Sequence, residues 1–112
     1  MNLTMMDYGL YQVYKTMGMV GTFYDVQESD DHFVITMGVP GLIRDDIEVL
    51  IKNGRRMTIR SKKSSKFTAD FSYVFAIPCA VEKEETNATV KNGVLTVFIK
   101  KADSADYKIE LK

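Results

Sequence analysis

His32 and Cys79 are the two side chains in this sequence that could form a nucleophile–base pair, and each residue type occurs once. A catalytic thiolate needs a base and an orienting group beside it, and no motif marks either residue. His32 follows two aspartates in a turn-like stretch, whereas a metal site needs several convergent donors. We interpret His32 as a solvated turn histidine and Cys79 as a partly buried, inert thiol; the alternatives are a metal ligand and a redox group.

Phosphate chemistry has equally little support. None of the seven glycines forms a phosphate-binding loop with a following Lys-Ser/Thr pair. The basic run at residues 60–66, "RSKKSSK", could make a weak phosphate contact at most, and Glu82, Glu84 and Glu85 are typical of a solvated loop. We therefore predict no enzymatic activity, no cofactor and no use of ATP.

Composition limits the partners. The chain has 112 residues and zero net charge, which indicates one domain without the basic face that nucleic-acid binding requires. No apolar run reaches the ~18 residues of a membrane span. The N-terminus has no basic region typical of a secretory signal, and a single cysteine fits a reducing compartment, so we expect a cytoplasmic location. Zero net charge also leaves little repulsion against self-association.

The chain divides into three zones: residues 1–21, 22–101 and 102–112. The first is an arm that holds five of the seven methionines, and the last is a polar linker with a short apolar tag. The middle zone alternates apolar and polar residues with the period of β-strands. The alternating apolar positions are Phe33, Ile35, Met37 and Val39, then Ile47, Val49 and Ile51, then Met57 and Ile59, then Phe71, Tyr73, Phe75 and Ile77, and more weakly Thr86, Ala88 and Val90.

Two Asn-Gly pairs, at 53–54 and 92–93, predict tight hairpins, because type I′ turns need positive φ at both central residues. For the first pair the alternative is a longer loop, since Arg55 and Arg56 follow it. Short strands joined by such turns are typical of an antiparallel β-sandwich. We predict an all-β sandwich of six to eight strands with almost no helix outside residues 1–21.

The last predicted strand, "GVLTVFIKK", is apolar on both faces. We expect Leu95, Val97 and Ile99 to lie in the core, which leaves Val94 and Phe98 pointing outward. The arm is also apolar, and we predict that it covers this second face, either from the same subunit or from a neighbour.

Four stretches in order resemble the small heat-shock proteins through their α-crystallin domain, an immunoglobulin-like antiparallel β-sandwich. They are "FYDVQESDDHFVITMGVPGL", "RDDIEVLIKNGRRMTIRSKK", "FSYVFAIPCAVEKEE" and "ATVKNGVLTVFIKK", and together they span about residues 23–101. Ile109-Glu110-Leu111 looks like the C-terminal Ile-X-Ile/Val tag of this family.

The resemblance implies that the tag docks into a groove on a neighbouring subunit. Ile109 and Leu111 would project from the same side of an extended segment and fill two pockets. An alternative is that they form a last edge strand of the same subunit. The resemblance places the groove wall at Ile47, Val49, Leu50, Ile51, Thr86 and Ala88.

Two departures bear on dimerisation. The loop of residues 64–70, "SSKFTAD", is too short to extend, pair and return, as the swapped loop of non-animal relatives does. A plain hairpin, or dimerisation along a strand with Phe71, Tyr73 and Phe75 as in animal relatives, is then favoured. Tyr73 replaces the arginine usual in that strand, so such an interface would need another chemistry.

These features predict an ATP-independent holdase that binds partly unfolded client proteins and assembles with itself as a homo-oligomer built from dimers. Methionine adapts to many surfaces, which suits client binding by the arm, although the arm could instead simply pack on a domain. The candidate client-binding residues are Met5, Met6, Tyr8, Leu10, Tyr11, Val13, Tyr14, Met17 and Met19. The alternative function is a non-enzymatic cochaperone or scaffold with the same sandwich.

Overall fold

The computed structural model describes residues 23–102 and 110–112, together with the backbone of a strand at residues 11–15. The described residues form eight strands and two single 3₁₀ turns, Arg44–Asp46 and Lys83–Glu85. The strands are β1 Tyr11–Lys15, β2 Tyr24–Glu28, β3 His32–Gly38, β4 Ile47–Lys52, β5 Arg56–Ser61, β6 Ser72–Ala76, β7 Asn87–Lys91 and β8 Val94–Lys100. The predicted class, an antiparallel β-sandwich with almost no helix, is confirmed.

The strands form two four-stranded sheets. One sheet has the order β1-β6-β5-β4 and the other the order β2-β3-β8-β7, with all pairs antiparallel. On one side of the sandwich the sheets therefore end in β4 and β7, and on the other side they end in β1 and β2. This arrangement decides which edges are open.

The core follows the alternation in the sequence. Each inward-facing apolar position of β3, β5, β6 and β8 is fully or almost fully buried, because successive side chains of a strand point to opposite faces. The buried apolar residues are Phe33, Ile35, Met37, Val39, Leu42, Ile47, Met57, Ile59, Phe71, Tyr73, Phe75, Ile77, Leu95, Val97 and Ile99.

Both Asn-Gly pairs form turns, but the two loops differ in length. Lys91 pairs with Val94 across the two-residue hairpin that was predicted, whereas Lys52 pairs with Arg56 and leaves Arg55 in the loop, which is the longer-loop alternative. Asn53 and Gly54 have φ of 55° and 65°, and Asn92 and Gly93 have φ of 53° and 75°. Positive φ at both central residues is the type I′ geometry, whose twist matches that of the flanking strands. The two turns set the registers of β4 with β5 and of β7 with β8.

The outer face of β8 differs from the prediction in what covers it. Leu95, Val97 and Ile99 are buried as expected, and Phe98 is half-buried. The His32 ring lies over Phe98 with the ring centroids 4.8 Å apart. The described part of the arm, β1, lies on the other sheet, so the prediction is wrong for residues 11–15 of the same subunit. His32, at the start of the neighbouring strand β3, therefore covers part of this face. Cover by the arm of a neighbour stays a prediction.

The loop at residues 62–71 contains no strand and packs on its own subunit. The hydroxyls of Ser65 and Thr68 both donate to the carbonyl oxygen of Pro40 at 2.7 Å. The backbone N–H of Lys62 donates to the carbonyl of Asp46 at 2.6 Å. These bonds hold the loop on the Pro40-Gly41 turn and leave it no extended segment to exchange.

Candidate functional site

An open groove of about 470 Å³ runs between the edges of β4 and β7. Within the described residues, each of these strands ends its sheet and has one edge without a partner strand. Val49 and Ile51 of β4 line one wall, Ala88 of β7 lines the other, and buried Val97 of β8 lies between them. An apolar trough flanked by two open edges can take an extended segment, because the edges offer backbone hydrogen bonds and the walls take alternate side chains.

The period of β4 explains which of its side chains reach the groove. Val49 and Ile51 lie on the inner face and are half-buried, since no strand packs over them on this side. Leu50 points the other way with 43% of its surface exposed, and Ile47 is buried in the core beside Asp46. Of the six predicted groove residues, the structure brings Val49, Ile51, Thr86 and Ala88 together, while Ile47 and Leu50 lie elsewhere.

The sequence interpretation missed several residues of the groove. Gly54, Val81, Lys83, Asn87 and Val97 also line it. Val81 comes from the irregular segment after β6, where no periodicity marks it, and its bridge to Lys101 and its packing against the core fix its place. The sequence predicts that Val97 faces the core, but its proximity to the groove depends on how the two sheets pack.

The start of the C-terminal extension is fixed beside this groove. The backbone N–H of Lys101 donates to the Asp31 carbonyl at 2.8 Å, and that of Ala102 donates to the Ala80 carbonyl at 3.0 Å. The Lys101 ammonium lies 2.7 Å from a carboxylate oxygen of Glu28. The extension therefore leaves the sandwich next to Val81, one of the groove residues. At its end, Leu111 is 93% exposed, and Ile109 lies outside the described residues.

Carboxylates near the two ends of the sandwich are held in their charged form. The Ile43 N–H donates to Asp46 at 2.9 Å and Lys63 lies 3.4 Å away, and these contacts lower the pKa of Asp46. Asp31 binds Lys100 at 2.9 Å and His32 at 2.6 Å. The bond with Lys100 lowers the pKa of Asp31 most, and the bond with His32 lowers it further.

The residues predicted for a dimer strand face inward. Phe71, Tyr73 and Phe75 are buried, and the ring of Tyr24 packs edge-on against Tyr73 and Phe75 at centroid distances of 5.6 Å and 5.3 Å. Burial, and then the electrostatic interaction with Tyr73, raises the pKa of Tyr24. The outer edge of β6 pairs with β1, so a dimer along β6 would have to displace β1.

The candidate arm residues are only partly described. Tyr11, Val13 and Tyr14 belong to the backbone strand β1. Met5, Met6, Tyr8, Leu10, Met17 and Met19 lie outside the described residues.

Within the described part of the chain, His32 and Cys79, the candidate nucleophile–base pair, share no hydrogen bond or ion pair. Cys79 is half-buried and packs against the core near the end of β6. His32 begins β3 rather than lying within a turn, and it contacts Ser29, Asp31 and Phe98 on the outer surface. Among residues 23–102, no helix has the length and apolar character needed to cross a membrane.

Comparisons with known proteins agree with this architecture. The model of the Hsp20/alpha crystallin family matches residues 25–111. The spore protein SP21 of Stigmatella aurantiaca (strain DW4/3-1) is 29% identical over 90 residues, which cover 70% of this chain and 53% of that protein. The peroxisomal 16.0 kDa heat shock protein of Oryza sativa subsp. japonica is 28% identical over 96 residues, covering 69% and 66% respectively.

A solved structure shows the same fold. The small heat-shock protein from Xylella fastidiosa superposes with a TM-score of 0.67 at 23% identity, covering 85% of this chain and 99% of that one. By length, this chain spans about half to two thirds of the two curated relatives.

Proposed function

Since this chain belongs to the Hsp20/alpha crystallin family, we propose that it is an ATP-independent holdase that binds partly unfolded proteins and suppresses their aggregation. Members of this family are chaperones without enzymatic activity. Binding of this kind needs only apolar surface that can be offered to a client, at about 25 cal/mol per Å² buried. The expected partners are unfolding proteins and other copies of the chain, in the cytoplasm.

The open β4/β7 groove is the observation that carries the proposal. It is apolar, about 470 Å³ in volume and bordered by two strand edges. The sequence ends in Ile109-Glu110-Leu111, whose two branched side chains would point the same way from an extended backbone. We propose that this tag occupies the groove of a second copy and links subunits into an assembly. The related Xylella fastidiosa protein is described as having a distinct high-order structure.

The tag could also fold back onto its own subunit as a last edge strand. Ala102 is bonded to Ala80, next to groove residue Val81, and only residues 103–108 separate it from Ile109. Six residues span at most ~20 Å, so the linker restricts which part of the home groove the tag could reach. Linking between copies has no such limit.

Replacing both Ile109 and Leu111 with Ala tests the linking role. The double variant loses several methyl and methylene groups, each worth about 0.8 kcal/mol when buried, so we expect dimers or monomers with an intact sandwich. Light scattering coupled to size-exclusion chromatography measures the mass, and circular dichroism checks the fold. Glu110→Ala is the matched control, since its side chain would point away from the groove. A double variant with the parent mass would rule out the tag as a linker.

Two deletions test client binding by the arm. Removing residues 1–20 should abolish protection of a heat-labile client, because the methionine-rich segment is lost. Removing only residues 1–10 leaves β1 in place, so comparing the two deletions distinguishes the contribution of residues 1–10 from that of β1. Undiminished suppression of client aggregation by both truncated proteins would move the client surface onto the sandwich.

A cochaperone or scaffold remains the second candidate. The resemblance associates dimers with a long swapped loop and with an arginine in the strand of Tyr73. Here the loop is short and held on Pro40, and Tyr73 is buried. A scaffold for one partner would keep its partner binding after both ends are removed, whereas the holdase would lose protection of unrelated clients.

A further inference from the structure

Strand β6 is an interior strand only because β1 lies beside it. Its other neighbour is β5, and the pairing with β1 joins Tyr11 to Ala76, Gln12 to Phe75, Tyr14 to Val74 and Lys15 to Tyr73. The register shifts between Gln12 and Tyr14, where one residue of β1 is bulged. Without residues 11–15, β6 would end its sheet.

The sequence of β6 is poorly suited to an exposed edge. Residues 71–77, "FSYVFAI", carry no charge and no proline and have high β-propensity, which is the composition of a segment that pairs with other strands. The other outer strands carry charges that discourage such pairing. These are Glu48 and Lys52 in β4, Asp25 and Glu28 in β2, Lys91 in β7 and Lys15 in β1.

The connection to β2 is long enough for β1 to come from the same chain. Lys15 is the register partner of Tyr73, and the Tyr73 ring lies 5.6 Å from that of Tyr24, the first residue of β2. Both ends of the link are thus anchored near one residue. The eight residues 16–23 can span roughly 26 Å at ~3.3 Å each, more than this short distance requires.

We infer that β1 is an intramolecular cap that occupies the β6 edge and keeps it from pairing with the β6 edge of a second copy. An antiparallel strand can pair with its own copy across a two-fold axis, so an uncapped β6 is complementary to itself. The cap is only five residues long and bulged, and so makes few bonds. The inference concerns how the chain protects an edge and does not depend on chaperone activity.

A disulfide tests the cap directly. In a Cys79→Ala background, Tyr14→Cys and Val74→Cys place two thiols at partner positions of the pair. Mild oxidation should consume both thiols and give a cross-link within one chain, seen at monomer mass on a non-reducing gel. Tyr11→Cys with Ser72→Cys lies off register and should not cross-link. Absence of the first bond would overturn the cap.

Mixing the two single variants distinguishes one chain from two. If β1 caps its own chain, a mixture of Tyr14→Cys and Val74→Cys proteins gives no mixed disulfide dimer. A mixed dimer as the main product would show that β1 belongs to a neighbour and would overturn the inference.

Removing the cap should uncover the dimer edge. In the Ile109→Ala/Leu111→Ala background, which excludes linking by the tag, deletion of residues 1–16 should double the solution mass. Adding Val74→Lys to that deletion puts a charge on the exposed edge and should restore the mass that the background has before the deletion. A deletion that stays folded with an unchanged mass would contradict self-pairing at β6, and a doubled mass that survives Val74→Lys would place the new interface elsewhere.

Discussion

The two sides of the sandwich differ in how their strand edges are kept from pairing with other chains. On the β4/β7 side no strand among the described residues pairs with either edge, and β4 carries Glu48 and Lys52 while β7 ends on Lys91. On the other side the uncharged β6 is covered by β1. Charged edges can remain exposed to water without pairing indiscriminately, whereas an uncharged edge needs a cover. The open side is therefore available for a selected segment, and the covered side is available only when its cover leaves.

The largest expected effect is unfolding of the whole sandwich, which would remove the open side and the covered side together. Leu95→Ser leaves a cavity and a hydroxyl without a partner in the core on which both sheets pack, and should cost about 3–5 kcal/mol of unfolding free energy. Denaturant unfolding followed by circular dichroism measures this loss.

Phe98→Ser is the matched control on the same strand. Phe98 is half-buried against His32, so the change should cost less than about 2 kcal/mol and leave the β1–β6 pair intact. If it were as destructive as Leu95→Ser, Phe98 would belong to the core.

A charge in the groove should affect one side only. Ile51→Glu would place a carboxylate where the tag is proposed to dock, weakening assembly at least about tenfold, or ~1.4 kcal/mol. Leu50→Glu is the control, because Leu50 points away from the groove on the same strand. Light scattering gives the assembly mass, and amide exchange of residues 72–76 should be unchanged in both variants. Equal loss of mass in both would argue against groove docking.

A smaller effect concerns acid stability at the corner before β4. The pKa of Asp46 is lowered by the Ile43 N–H and then by Lys63. Its contribution to stability is therefore present above the ordinary pKa of about 3.8 and is lost as pH falls through the lowered folded value. Asp46→Asn should be less stable than the parent at pH 7, and the difference should shrink below pH ~4. A difference in melting temperature that is independent of pH would exclude this linkage.

The smallest effect is expected at Asp31, whose side chain is largely exposed. Its pKa is lowered by Lys100 and then by His32, so the stabilisation has the same direction with pH as that of Asp46. Solvent weakens such surface pairs, and salt screens them further. Asp31→Asn should therefore lower the melting temperature less than Asp46→Asn, and added salt should reduce the effect. A larger loss for Asp31→Asn would show that the start of the extension depends on this pair.

Local patterns in the sequence were enough to predict the strands and their faces. The alternation in "HFVITMGV" and "VLTVFIK" assigned Phe33, Leu95 and Val97 to the core, because side chains of a strand alternate between faces whatever the partner strand. The two Asn-Gly pairs predicted their hairpins because few residues tolerate positive φ. The family resemblance added the groove, although alternation alone would have excluded Leu50 from it.

The sequence by itself determined which residues face inward and where the chain turns, since these depend on neighbours one to four residues away. Only the tertiary structure decided which edges lie open. The groove brings β4 together with Val81 and β7, and the cap brings residues 11–15 to residues 73–76, far apart in sequence. No pattern in "YQVYK" predicts that it pairs with β6, and no pattern in the sequence predicts that the His32 ring lies over Phe98. Such neighbours are set by the packing of the two sheets, which no short stretch of the chain encodes.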